Sequence, residues 1–95
     1  MLKLPVGGTR LDILERLKDP VAHFPPQSCA DLATEGVSAA TVATALGLSV
    51  PAASAHLELL ARMGLLRAGR AAGCTVYRRD EYRIAEVKQL FEKGW

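Results

Sequence analysis

Apolar residues return along this chain at helical spacing in four places and at strand spacing in one. Leu11, Ile13, Leu14 and Leu17 make the stripe of a short first helix. Thr9 is its expected N-cap, Asp12 an acidic capping partner three residues on, and Asp19-Pro20 its end. The segment His23-Phe-Pro-Pro-Gln27 reads as a rigid connector, because its prolines fix the backbone and remove donors. Ser28 followed by Asp31 predicts a second cap and one or two helical turns that stop at Gly36. A further helix is expected from about Ser38 to Leu46, with Val42 and Leu46 inward and Ala43 small enough for close packing. Gly47 takes the turn, where a backbone without Cβ reaches the left-handed region most easily. Ser49 caps the next helix and Pro51 is tolerated in its first turn. Ala53, Leu57 and Leu60 fix its buried face, and Gly64 stops it.

Beyond Gly64 the period shortens to two. Leu65–Arg70 and Cys74–Arg78 read as short strands around a glycine-rich tip, Gly69–Gly73. Asp80 caps a last helix whose apolar face is Ile84, Val87, Leu90 and Phe91. The expected fold is mainly α with a small β-hairpin: a winged helix-turn-helix in the order α-α-α-α-β-β-α. It is read as one domain over 1–95, with the helix-turn-helix at about 38–63, the wing at about 65–79 and the C-terminal helix at about 80–93.

Composition narrows the setting. Ninety-five residues support one modest core, which dimerisation would extend. Two widely spaced cysteines supply neither a disulfide framework nor a four-thiolate zinc site, so a reducing cytoplasm is the expected location. The first residues, Met-Leu-Lys-Leu-Pro-Val-Gly-Gly, lack the apolar core of a signal peptide. Gly36 to Leu57 carries no charge and has about the length of a membrane span. Ser38, Thr41, Thr44, Ser49, Ser54 and His56 dilute it and Gly47 and Pro51 interrupt it, so no membrane partner is expected.

The formal charge of +2 is unevenly placed. Residues 49–79 hold Arg62, Arg67, Arg70, Arg78 and Arg79 against Glu58 alone, whereas the flanking segments are slightly acidic. All excess positive charge therefore lies on the second helix of the motif and the wing after it, the local concentration that phosphate contact requires.

The run Leu46-Gly-Leu-Ser-Val-Pro-Ala-Ala-Ser-Ala-His-Leu-Glu-Leu-Leu, then Met63-Gly-Leu-Leu-Arg67, resembles the arsenic-repressor (ArsR) family of bacterial winged-helix regulators. Thr75-Val-Tyr-Arg-Arg79 resembles that family's second wing strand, and Arg10-Leu-Asp-Ile-Leu14 its first-helix pattern. The resemblance implies a dimeric repressor of double-stranded DNA whose affinity is set by a metal, a thiol reaction or another small signal. The family's recognition helix is usually polar and basic, but here Val50, Ala52, Ala55 and Glu58 stand in those places. Each bidentate base contact contributes roughly 1–3 kcal/mol of discrimination, so doing without them flattens specificity. DNA contact is expected instead from Ser49, Ser54, His56 and Arg62, and from Arg67 and Arg70 of the wing. A homodimer is expected through the first and last helices, by way of Leu14, Leu17, Ile84, Val87 and Phe91.

The family's metal sites lack ligands here. Ser38–Ala43 contains no cysteine pair, and Asp80, Glu81, Glu86 and Glu92 have no histidine among them. No metal or other cofactor is therefore expected. Cys29, at an expected helix N-terminus, is the better candidate for a reactive thiol, and Cys74 would sit in the second wing strand. No phosphate loop or catalytic triad is present, so no enzyme activity is expected. Two alternatives to a metal-independent repressor remain: a dimeric protein–protein module that has lost DNA binding, and a redox-sensing repressor using Cys29.

Overall fold

The computed structural model describes residues 8–91, the side chains of 88–91 excepted. Helix α1 (Gly8–Arg16) is followed by a single turn, α2 (Pro20–His23), and a long linker leads to a two-residue strand, β1 (Val37–Ser38). Then come α3 (Ala39–Leu46), α4 (Val50–Arg62), the hairpin β2 (Leu66–Ala71) and β3 (Cys74–Arg79), and α5 (Glu81–Phe91). Ile13, Leu14 and Leu17 of the first helical segment meet Val42 and Ala43 of α3 and Ala53, Leu57 and Leu60 of α4 in one core, closed by Leu65, Leu66, Tyr77 and Ile84.

The helix-turn-helix has the capping its sequence predicts. Gly47 ends α3 in the left-handed conformation, at φ 68° and ψ 33°. The Ser49 hydroxyl accepts from the Ala52 amide at 3.2 Å, satisfying one donor that the first turn of α4 would otherwise leave unpaired. The chain bends through 114° between the two helices. The uncharged stretch is thus folded on itself, and among the described residues no single helix is long and apolar enough to cross a membrane.

Four expectations are corrected. Thr9 lies inside α1 rather than capping it, because the helix already begins at Gly8. The turns expected after Ser28 are not helical: the Asp31 carboxylate accepts from the Thr34 amide (3.0 Å) and hydroxyl (2.7 Å), closing a local turn in place of a helix. The sheet has three strands, antiparallel in the order β1-β3-β2, with Val37 opposite Tyr77 and Ser38 opposite Val76. Finally, the hairpin tip shrinks to Ala72-Gly73, both with positive φ (49° and 83°), the type of two-residue turn that matches strand twist.

β1 and the linker are fixed by Gln27. Its amide nitrogen donates to the carbonyls of Gly36 (2.7 Å) and Ala30 (3.1 Å), and its oxygen accepts from the Ser38 amide (3.1 Å) and Thr41 hydroxyl (2.7 Å). Ser38 in turn caps α3 through the Thr41 amide. One side chain therefore ties the linker, the edge strand and the start of the helix-turn-helix together. At the end of β3, Arg79, whose side chain is 4% exposed, donates to the Leu14 carbonyl (2.8 Å) and pairs with Glu81 (2.8 Å).

Candidate nucleic-acid interface

Helix α4 buries Ala53, Leu57 and Leu60 completely, so its outward stripe falls at Pro51, Ala55, Glu58 and Arg62. Val50, at its first turn, is 48% exposed. The first half of this surface, Val50, Pro51 and Ala55, offers bases methyl groups and little hydrogen bonding, whereas Glu58 and Arg62 are the polar groups of its second half. Ser49 is exposed but its hydroxyl is engaged in the cap, and Ser54 is half-buried at the edge of the stripe. Glu58 approaches the wing closely enough to reinforce burial in raising the Tyr77 hydroxyl above its usual pKa, burial being the larger cause.

His56 is directed elsewhere. Its Nδ1 lies 3.1 Å from Nη1 of Arg10 on α1. A guanidinium only donates, so Nδ1 accepts and the ring proton of neutral His56 sits on Nε2. The contact joins α1 to α4, and among the described residues the buried Arg10 Nε has no partner. Sequence pattern could not reveal this pairing, since the residues are 46 apart and neither is apolar.

The wing carries the cations. Arg67, Arg70 and Arg78 are exposed, and Arg67 stands directly opposite Arg78 in the register, so both project from one face of the ribbon. Arg70, on the other face, donates to the Thr75 hydroxyl (3.2 Å) and the Gly73 carbonyl (3.4 Å). These bonds orient its guanidinium at the tip. Arg78 donates to the Thr34 carbonyl (3.2 Å), and a shallow cleft of about 230 Å³ opens among Glu35, Arg67, Arg70 and Arg78. Like charges held directly opposite are unfavourable unless an anion sits between them. Arg78 is not among the DNA-contacting residues that the sequence singles out. Its signal lies in the β3 alternation, which sets it against Arg67 and apart from buried Arg79.

The two cysteines do not remain separate thiols. Cys29 of the linker and Cys74 at the start of β3 are joined as a disulfide, their Cα atoms 6.1 Å apart across 45 residues of sequence. With no helix after Ser28, Cys29 also lacks the helix N-terminus on which its expected reactivity was founded. The residues expected at a dimer contact are redistributed too. Leu14, Leu17 and Ile84 are 1%, 5% and 1% exposed and belong to the core, Val87 packs partly against it, and the Phe91 side chain lies outside the described residues. Among the described side chains, Leu11 and Tyr82, at 38% and 88% exposure, are the large apolar groups that α1 and α5 leave exposed. Among the described residues, no three histidine, cysteine or acidic side chains gather as a metal site would need.

A capped helix-turn-helix followed by an arginine-bearing, two-stranded wing defines a winged-helix protein of the nucleic-acid-binding kind. No protein-family model matches the chain. It is, however, 38% identical over 84 residues to the uncharacterized HTH-type transcriptional regulator YbzH of Bacillus subtilis (strain 168), an alignment covering 88% of this chain and 84% of that protein. The chain belongs to the helix-turn-helix transcriptional regulators.

Proposed function

We propose that the protein is a homodimeric repressor of the arsenic-repressor type that grips double-stranded DNA chiefly through its phosphates. The observation that carries this reading is the set of exposed arginines, Arg67, Arg70 and Arg78, on a wing beside a recognition helix whose N-terminal half exposes Val50, Pro51 and Ala55 rather than hydrogen-bonding groups. Helix α4 then positions the protein in the major groove, with Val50 and Ala55 against thymine methyls, Ser49 and Arg62 at its ends and Ser54 beside the stripe in its first half. The wing supplies the charge that holds the complex. His56 acts within the protomer, through Arg10, rather than on DNA.

A dimer built from α1 and α5, using Leu11, Tyr82 and the end of α5, sets two α4 helices on half-sites about 34–36 Å apart. Blocking promoter access from such a site represses transcription. Footprinting the DNA upstream of the protein's own gene tests the reading: two protected half-sites one helical turn apart are expected. Absence of any salt-sensitive protection would favour instead a dimerisation module without DNA, consistent with the apolar N-terminal half of the outward face of α4.

A further inference from the structure

We propose that Cys29 and Cys74 form a reversible thiol–disulfide site that sets the position of the wing and thereby the affinity for DNA. This rests on the functional reading above and adds to it the class of signal: a peroxide oxidant in one direction and a dithiol or glutathione-type reductant in the other.

Placement of the bond carries the inference. Cys74 pairs with Ala71 at the last rung of the hairpin, immediately after the two-residue tip, and Arg70 reaches across that tip to Gly73 and Thr75. The other sulfur belongs to the linker, which Gln27 anchors to β1 and α3. The bond therefore clamps the tip of the wing, beside one of its cations, to the root of the helix-turn-helix. The other ties lie further from the tip: the pairing of β1 with β3 at Val76 and Tyr77, and the exposed bond from Arg78 to the Thr34 carbonyl. The cysteines are half-buried and line an open cleft of about 440 Å³ with Gln27, Ser28, Thr41 and Thr44, which gives small oxidants and thiols access to the sulfurs.

The chemistry balances as a two-electron exchange. From the dithiol, one thiolate attacks a peroxide oxygen, the O–O bond breaks, and a sulfenic acid and one water result. The second thiolate then attacks that sulfur, forms the S–S bond and expels hydroxide, which leaves as a second water. In reverse, an external thiolate attacks one sulfur and a second external thiol completes the exchange, leaving two cysteine thiols and an oxidised reductant. In the bonded form the tip is held against the linker; once released, the tip that carries Arg70 must be placed by DNA itself, at a cost amounting to roughly five- to thirtyfold in affinity.

The test measures thiol content and DNA affinity on the same samples. Purified protein is oxidised with hydrogen peroxide or equilibrated in a reducing glutathione buffer, its thiols are counted by alkylation and mass, and binding to a labelled duplex of the upstream DNA is followed by anisotropy. The expected result is an intramolecular bond that the reducing buffer opens, with the reduced protein binding five- to thirtyfold more weakly and recovering on reoxidation. Cys29→Ser and Cys74→Ser should bind like the reduced protein whatever the buffer. Equal, measurable affinity of both forms would overturn the proposal alone, as would a bond that persists in the reducing buffer. No binding by either form would overturn the functional reading and the proposal with it. If the serine variants fail to fold, the reversible change in the wild-type protein decides the matter.

Discussion

Gly36 is where backbone conformation and close packing coincide, and its replacement by alanine tests how β1 is held. Its φ is +116°, a region that essentially only glycine occupies, at a cost of about 1–3 kcal/mol for another residue. A Cβ built there would lie 2.8 Å from the Tyr77 carbonyl oxygen and 3.1 Å from its carbon, both backbone atoms of the central strand. Relief of that clash requires β1 to draw away from β3, weakening the pairing of Val37 with Tyr77 and Ser38 with Val76, at about 1 kcal/mol per hydrogen bond. Together these give a destabilisation of roughly 3–5 kcal/mol, a large part of the stability of about 5–15 kcal/mol usual for native proteins. Gly47→Ala is the control. Gly47 also has positive φ, but nothing lies within 4 Å of its added Cβ, so that change should cost only about 1 kcal/mol. Urea denaturation of the two variants and the wild type reads the difference directly. Equal destabilisation by Gly36→Ala and Gly47→Ala would refute the close approach of residue 36 to the sheet.

Further expectations concern the joints around the site. Gln27→Leu keeps the size of the side chain but removes its four hydrogen bonds, and should destabilise the protein by about 2–4 kcal/mol in denaturant titrations. Ser49→Ala removes the α4 cap and should cost about 1 kcal/mol, whereas Ser49→Asp should retain most of it. Reduction of the Cys29–Cys74 bond opens a loop set by the 45-residue separation and should lower stability by up to about 4 kcal/mol, seen as a lower melting temperature in dithiothreitol. Hydrogen bonds from the Thr34 hydroxyl and then its amide hold the Asp31 carboxyl below its ordinary value of 3.8. A depressed folded value means that the turn is favoured above the unfolded pKa and loses that support as pH falls through the lower, folded one. NMR titration should therefore find Asp31 titrating at more acid pH than in Thr34→Val, and identical curves would show the bonds absent in solution.

What the sequence disclosed follows from which forces are local. The spacing of Val42, Ala53, Leu57 and Leu60, the cap at Ser49 and the glycine at 47 are set within a turn or two of chain, so the helix-turn-helix was readable from them. The wing was readable from its change of period, though not the length of its turn, because Ala72 adopts positive φ without the asparagine or aspartate that usually announces it. β1 escaped because two residues carry no period; it exists only through its partner strand. The stretch from Ser28 to Gly36 carries helix-start signals that the Asp31–Thr34 turn and the Gln27 bonds override. The pairs Cys29–Cys74 and Arg10–His56 join residues 45 and 46 apart, and neither composition nor local spacing encodes such meetings. Of the site itself, the clustering of arginines was visible in the chain. Their separation into exposed Arg67, Arg70 and Arg78 and buried Arg79 needed the register of β2 on β3.

The central claim, that the wing arginines hold this regulator on DNA through phosphates, is tested most directly by the salt dependence of binding. Affinity for the upstream duplex should be measured across about 50–200 mM salt for the wild type and for the variant carrying both Arg67→Ala and Arg70→Ala. The account predicts weaker binding to specific and mixed-sequence duplexes alike, with the slope of log affinity against log salt reduced by about 1 for each phosphate that the variant no longer neutralises. An unchanged slope in the double variant would contradict it.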